Sequence, residues 1–565
     1  MSMDLSPAKQ KLLENWLKGN RPNDNPLDIP KRKDVNSIQL SFPQQRQLFM
    51  ELLDRNTAVN NLSVLLKLKG CLNIVALKKC ANEIIKRHEV LRTQFVLDKG
   101  MPSATLIQTL ELSIPVIEMT KFHKQDLSEK VLELAEMEVL IPFNLSQAPL
   151  IRLKLYKLKN DLFYFLIVIH HTVADGWSLG VFLKELMSLY RDFQSESRIK
   201  QTELPIQYYD YAKWQTDDQK MNYWERELDY WKNQLKGDLP VLELPTDKSR
   251  GPRQSYEGGT YNFIINKDET KALEQLSREE DVTLFMTLLS VFYIVLHRYC
   301  NQDEILIGTP VANRNLPELE DLIGAFINIL VLRIELNSYS SFRSILAIVK
   351  RTTADAFTNK NLPFEKLVEE LKPKRDLSRT PLFQVLFNLQ NSPRPKLEIT
   401  GIESSFVDIN RGVSQFDLTL MITKTEGQCV ATVEYNKDLF KEETIARLFQ
   451  SYQLIIRNVL NNPDISISEI PLVTELEMRE LVSDFCNLNS DIPLDKKMHQ
   501  LFEEQVRISP DQIAVIFGDK KFTYSEINSR ANVIGRHLHK HGLNPGDCVG
   551  VLMPRSNEII ESLIG

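Results

Sequence analysis

Long apolar runs, a basic charge excess and paired cysteines are all missing from this chain. No run in its 565 residues approaches the ~20 apolar residues of a membrane-crossing helix. Met1 to Asn20 is amphipathic and polar, without the apolar core of a signal peptide. The formal net charge of −6 argues against a broad nucleic-acid footprint, which needs a basic surface. The six cysteines (Cys71, Cys80, Cys300, Cys429, Cys486, Cys548) are scattered, with no C-x-x-C spacing. They read as reduced thiols of a cytoplasmic protein, neither a disulfide framework nor a zinc site, so no metal is expected. What remains is ordinary globular composition, 25% charged and 43% hydrophobic. One core does not suffice at this length, and two to four domains are expected.

One stretch concentrates the chemistry. Leu162 to Ile169 carries no charge and is mostly aromatic or β-branched, the pattern of a strand buried on both faces. His170 and His171 follow, then Asp175 and Gly176. Beyond them Leu179, Phe182, Leu183, Leu186, Met187 and Tyr190 fall at helical spacing, with Asp175 or Ser178 as the cap. The polar cluster therefore belongs to a strand–loop–helix junction, presented from a rigid base. Adjacent histidines on extended backbone point to opposite sides, so only one can face a given cavity. A histidine pair alone is more often structural than catalytic, and context decides.

The context here is an ordered series. His170 to Gly176 reads His-His-x-x-x-Asp-Gly and continues Trp177-Ser178. This resembles the acyl-transfer motif of the chloramphenicol acetyltransferase-like superfamily, in the form typical of condensation domains of nonribosomal peptide synthetases. Further segments resemble that family's other motifs in order. Ser41 to Met50 matches the first in part, with Pro43 for the usual alanine and Gln47-Leu48 for Leu-Trp. Arg87 to Phe95, Tyr208 to Trp214, Ile323 to Leu330 and Arg375 to Leu382 match others, while Asn361 to Glu365 lacks the usual leading His-Gln. One motif would be weak; an ordered set is strong.

The resemblance implies an α/β fold of two chloramphenicol acetyltransferase-like lobes in a V-shaped pseudo-dimer, with a two-mouthed tunnel between them. It implies that His171 faces the reaction while His170 and Asp175 are structural. Arg314 would be the ion-pair partner of Asp175, and Trp177, Ser178 and Asn328 would lie along the substrate tunnel. Gly176 would let the backbone approach the reacting groups. Without the resemblance, Arg314 reads as a surface arginine. His88, on an apolar helical stripe, reads as a hydrogen-bonded core residue. The aromatic cluster from Tyr208 to Trp214 reads as packing, since the basic interleaving of a nucleic-acid platform is missing.

Residues 1–36 are read as a leader helix, with Leu12, Leu13 and Trp16 on one face, and a linker. Residues 37–215 are read as the first lobe, 216–475 as the second, and 476–497 as a further linker. Residues 498–565 resemble the truncated start of an adenylation domain, through Leu501 to Val506, Phe522 to Asn528 and Gly546 to Val551. They stop before that family's glycine-rich phosphate loop and ATP-site aspartates, so neither ATP binding nor amino-acid activation is expected of them. His537, His539 and His541 read as surface residues, because two-residue spacing on a helix does not converge on one metal. No Gly-Gly-x-Ser carrier signature occurs, so no cofactor is expected on this chain; substrates would come as 4'-phosphopantetheine thioesters on carrier proteins.

The implied activity is that of an acyltransferase. The amine of an acceptor aminoacyl thioester attacks a donor acyl or peptidyl thioester, and an amide forms. The short leader implies a donor carrier protein in trans, with a downstream acceptor carrier protein and an adenylation domain in a longer synthetase. Neither nucleic acid nor membrane is an expected partner. One alternative is starter-type N-acylation from fatty acyl-coenzyme A or an acyl carrier. Another is a non-catalytic recruiting module of the same fold, against which the retained His171 speaks. Heterocyclising relatives carry aspartate where this chain has His170-His171.

Overall fold

A computed structural model describes residues 29–35, 37–53, 57–98, 101–119, 127–195, 203–217, 224–374, 376–390, 401–483, 496–544 and 546–565. The expected leader helix, Cys486 and Arg375 lie outside the described residues. The chain divides into two units, Met1–Val473 and Thr474–Gly565.

In chain order the strands of the first unit are β1 (Asn61–Gly70), β2 (Thr93–Asp98), β3 (Met101–Leu106), β4 (Val116–Glu118), β5 (Ile151–Lys159), β6 (Leu162–His170), β7 (Gly258–Ile265), β8 (Glu304–Val311), β9 (Asn328–Glu335), β10 (Val385–Gln390), β11 (Ile402–Val407), β12 (Leu418–Thr425) and β13 (Gln428–Asn436). They build two large sheets. The first has the order β11-β1-β6-β5-β4, the second β7-β13-β12-β10-β8-β9. A short β2–β3 hairpin stands apart.

The uncharged stretch is β6, held between β1 and β5 by antiparallel pairing. Its period-2 alternation is hidden in the sequence because both faces are apolar. Phe163, Phe165, Ile167 and Ile169 join a core with the helices Ile74–Arg87 and Gly176–Gln194. Tyr164, Leu166 and Val168 join a smaller core with Val131, Ala135 and Val139 of helix Leu127–Val139. Burying an aliphatic or aromatic side chain contributes about 1.5–3 kcal/mol, so β6 is fixed along its length and His170 leaves it from a rigid base.

In the second lobe, β12 and β13 form the expected hairpin, registered from Leu418↔Tyr435 to Thr425↔Gln428. Its turn residues Glu426 and Gly427 take φ of +50° and +83°, the left-handed pair that suits strand twist in a two-residue turn. Helix Leu284–Cys300 is capped by Thr283, whose hydroxyl accepts from Met286 N at 3.3 Å. It packs with helices Phe342–Thr358 and Glu442–Asn461 on this sheet.

One element departs from a simple two-block reading. β11 lies late in the chain yet pairs antiparallel with β1 at the edge of the first sheet. It covers an edge that would otherwise present unpaired amides. Gly70 closes the end of this pairing at φ +141°, where an added Cβ would meet the Gly401 carbonyl oxygen at 2.2 Å. Arg411, just past β11, donates to Asn61 O at 2.9 Å and lies 3.5 Å from Glu434. The lobes are thus stitched by chain as well as by side chains.

The second unit begins in helix Glu475–Ser483, where the sequence suggests a linker. Helix Met498–Ile508, a hairpin of Ile513–Phe517 with Lys520–Thr523, and helices Tyr524–Lys540 and Asn557–Ile564 follow. Its buried apolar residues are few: Phe522, Ile527 and Ala531. Among the described residues no single helix is long and apolar enough to cross a membrane.

Candidate active site

The two histidines separate at the end of β6, as alternation requires. His170 is buried. Its Nδ1 accepts from Thr172 N at 3.3 Å and lies 2.8 Å from Thr172 Oγ1, which leaves the ring proton on Nε2, directed at Glu51 Oε1 at 3.3 Å. Phe143 packs edge-on against the ring, 5.9 Å between centroids. Both nitrogens of His170 are therefore used to hold the loop.

His171 is different. Its main-chain N donates to Asn60 O at 2.8 Å, but its half-buried ring has no such anchorage. Nδ1 is buried and makes no hydrogen bond of normal geometry to the described residues. Burial pushes the ring's pKa down to about 4; Asp175 and the ring's own carbonyl oppose this, and Arg46 and His170 add to it. The ring is neutral at pH 7, and its lone pair is available as an acceptor.

Asp175 caps helix Gly176–Gln194. Its Oδ1 accepts from Ser178 N at 2.8 Å, Ser178 Oγ at 2.7 Å and Arg314 Nη2 at 3.1 Å; Oδ2 accepts from Phe326 N at 3.1 Å. The Asp175 and Arg314 side chains are 2% and 1% exposed. Arg314 also donates to Leu319 O, to Leu322 O at 2.6 Å and to Ser178 Oγ at 2.9 Å, with its Cζ 4.1 Å from the centroid of the Phe326 ring. Ser178 Oγ further contacts Gly324 N at 3.0 Å and Gly324 O at 2.9 Å. An added Cβ on Gly324 would sit 2.0 Å from the Tyr208 ring. The loop after β6 is thus locked to the segment 319–326 of the second lobe through a buried charge pair.

The expected site residues sort into two groups. His170, His171, Asp175 and Arg314 come together. Two residues expected along the tunnel are buried and bonded within the protein. Ser178 is 1% exposed and bound within the Asp175–Arg314 cluster. Asn328 is 3% exposed; its Nδ2 donates to Lys360 O at 2.9 Å and Leu362 O at 2.8 Å, and its Oδ1 accepts from Phe364 N at 2.9 Å. The polar side-chain atoms of both are hydrogen-bonded inside the protein. Trp177 keeps an exposed ring while its Nε1 donates to Glu320 O at 2.9 Å. Gly176 starts the helix in the open, with no atom within 4 Å of an added Cβ. The protein's own packing therefore does not demand glycine there.

Sequence reasoning leaves several neighbours without a role. Gln44 Nε2 donates to Thr172 O at 3.0 Å and so holds the loop from helix Phe42–Leu53. Tyr208 OH lies 2.6 Å from Ser41 Oγ and donates to Ala325 O at 2.9 Å. Arg46 of the same helix reaches Glu365 of the second lobe at 3.2 Å. All lie within the quoted motifs, but burial and partners, which decide their roles, are not written in residue type. His88 is buried, with Nε2 3.1 Å from Glu185 Oε2 and Nδ1 accepting from Ile323 N at 3.4 Å.

This geometry can be set beside known proteins. The family profile described as Condensation domain matches residues 35–482, and that described as AMP-binding enzyme matches residues 502–565. The chain belongs to the condensation-domain family of nonribosomal peptide synthetases and continues into the start of an AMP-binding domain. A protein of the linear gramicidin synthase of Brevibacillus parabrevis is 38% identical over 541 residues, 95% of this chain and 11% of that protein. Gramicidin S synthase 2 of Brevibacillus brevis is 35% identical over 93% of this chain and 12% of its own length. The chain thus spans about a tenth of these relatives. In fold it is similar to a holo four-domain nonribosomal peptide synthetase, with a TM-score of 0.77 at 22% identity over 90% of this chain and 39% of that one. The first condensation domain of the calcium-dependent antibiotic synthetase gives 0.67 at 18% identity, over 78% of this chain and 100% of that one.

Proposed function

We propose that the first unit is an acyltransferase that forms an amide between two carrier-bound thioesters. The acceptor amine attacks the donor carbonyl, the N–C bond forms, the C–S bond breaks, and the proton lost by nitrogen leaves with the thiol. The observation that carries this reading is the half-buried, neutral ring of His171, whose Nδ1 has no hydrogen-bond partner among the described residues.

Magnitudes assign the ring its work. An α-ammonium has a reference pKa of ~7.7–8.0. Moving its proton to a ring of pKa about 4 is uphill by roughly 5 kcal/mol. His171 is therefore a poor base toward the ammonium ground state. It serves by accepting a hydrogen bond from the neutral amine, which fixes the nucleophile's direction, and by taking the proton once attack has made the nitrogen strongly acidic. Alignment of two reactants is worth ~7–11 kcal/mol, against ~10²–10⁴-fold for a positioned base. Positioning leads. Asp175 and Arg314 act through the loop and not on the substrate. Gly176 leaves open space at the helix start for the substrate backbone.

The partners proposed are a donor carrier protein and an acceptor carrier protein, each bearing a 4'-phosphopantetheine arm, within a larger synthetase. The test is intact-mass analysis of an aminoacyl-loaded acceptor carrier protein, incubated with this chain and either an acyl-loaded donor carrier or acyl-coenzyme A. A mass gain with the carrier-bound donor is the expected result. A gain with acyl-coenzyme A alone would turn the reading to starter acylation. No gain across a broad donor set, from folded protein, would favour a recruiting module.

A further inference from the structure

The reading above leaves a charged bridge beside His171 without a task. Helix Phe42–Leu53 is clamped to the catalytic loop at two points, Gln44 on Thr172 O at 3.0 Å and Glu51 on His170 Nε2 at 3.3 Å. Arg46 lies between these points. Its Nη1 is 3.2 Å from Glu365 Oε1, and its Cζ is 5.9 Å from the centroid of the Phe364 ring. Glu365 opens helix Phe364–Leu371, whose first amide is held by Asn328. The bridge therefore joins an element pinned to the His171 loop with one pinned to the second sheet. Both Glu365 oxygens are buried and accept no aligned hydrogen bond from the described residues. Arg46 is held there by charge and apolar contact.

We propose that Arg46, braced by Glu365, supplies a fixed positive charge where the acceptor amine meets His171, and that this charge keeps the amine unprotonated. The proposal rests on the amide-forming reading above. A positive charge nearby disfavours a second one, so an ammonium loses its proton more readily there. The same charge favours the oxyanion that develops as the amine attacks.

The His171 ring already reports this field. The groups that act on it are Asp175 from its own loop, paired with Arg314; His170, paired with Glu51; and Arg46, paired with Glu365. Arg46 acts at the ring against protonation. An amine hydrogen-bonded to the ring stands in the same field.

The test is single-turnover amide formation between loaded carriers over about pH 6 to 9.5, with NMR titration of the His171 ring in the same proteins. Arg46→Ala is expected to move the acid limb of the rate profile, and the ring's pKa, upward by about one unit. The rate is then about ten-fold lower on that limb and recovers at high pH. Arg46→Lys is expected to restore both midpoints. The exchange Arg46→Glu with Glu365→Arg rebuilds the bridge with reversed polarity and is expected to shift both further up. It also serves should Arg46→Ala fail to fold. A loss equal at every pH, with an unmoved His171 titration, would make Arg46 a mere brace and overturn the proposal. Failure of the wild type to form amide would instead count against the reaction, while the ring titration would still read the field.

Discussion

The Asp175–Arg314 pair offers the sharpest test of how the site is held. Replacing Asp175 by alanine removes an acceptor from Ser178 N, Ser178 Oγ, Phe326 N and Arg314 at once. Arg314, 1% exposed, is left as a buried cation without a counter-charge, held by the Leu319 and Leu322 carbonyls, Ser178 and the Phe326 ring. Breaking such a pair from one side costs about 3–5 kcal/mol. Domains are stable by only about 5–15 kcal/mol, so Asp175→Ala should lower the melting temperature by many degrees and send much of the protein to the insoluble fraction. Arg314→Ala should cost a similar amount by orphaning the carboxylate. The double variant should cost clearly less than the two singles together, because neither charge is left alone. Thermal melting and urea midpoints of the four proteins form the assay. Additive losses would show that the two groups are not coupled. A soluble Asp175→Ala with native melting and no activity would refute the structural role and place Asp175 in the chemistry.

Other outcomes follow from the same geometry. On acidification the folded state should lose about 3 kcal/mol between pH ~6.5 and pH ~4, since the unfolded ring takes a proton that the folded ring of His171 refuses until about 4; His171→Gln should flatten that part of a urea-midpoint profile. Gly176→Ala should melt like the wild type, because nothing lies within 4 Å of the new methyl, yet form amide more slowly if substrate backbone uses that space; unchanged single-turnover rates would remove Gly176 from the site. Asn328→Ala should cost about 1–3 kcal/mol by freeing the 360–364 segment, with acceptor preference in a competition assay unchanged; a changed preference would place Asn328 on the acceptor side of the tunnel.

Legibility follows locality. β6, the helix it feeds and the β12–β13 hairpin depend on nearest neighbours in sequence, and each can be read from periodicity, capping and turn residues. The buried stripe from Leu77 to Ile85 in helix Ile74–Arg87 is equally plain. The crossover of β11 is not, because Ile402 to Val407 carries no mark that its partner is β1, more than 300 residues earlier in the chain. The site divides the same way. The His-His-x-x-x-Asp-Gly motif points to His170, His171 and Asp175, and only family resemblance ties Arg314 to Asp175 across 139 positions. The same resemblance sets Ser178 and Asn328 along a tunnel; the hydrogen bonds that hold both side chains are not written in residue type. Arg46 and Glu365 stand in quoted motifs, but their pairing depends on how two lobes meet.

The most direct measurement is single-turnover amide formation by the wild type and by His171→Ala, with donor and acceptor carriers both preloaded and both proteins shown to melt alike. The account predicts a loss of about 10²–10⁴-fold in the variant at neutral pH. A variant within a few-fold of the wild type would contradict it, and would move the chemistry away from the loop that follows β6.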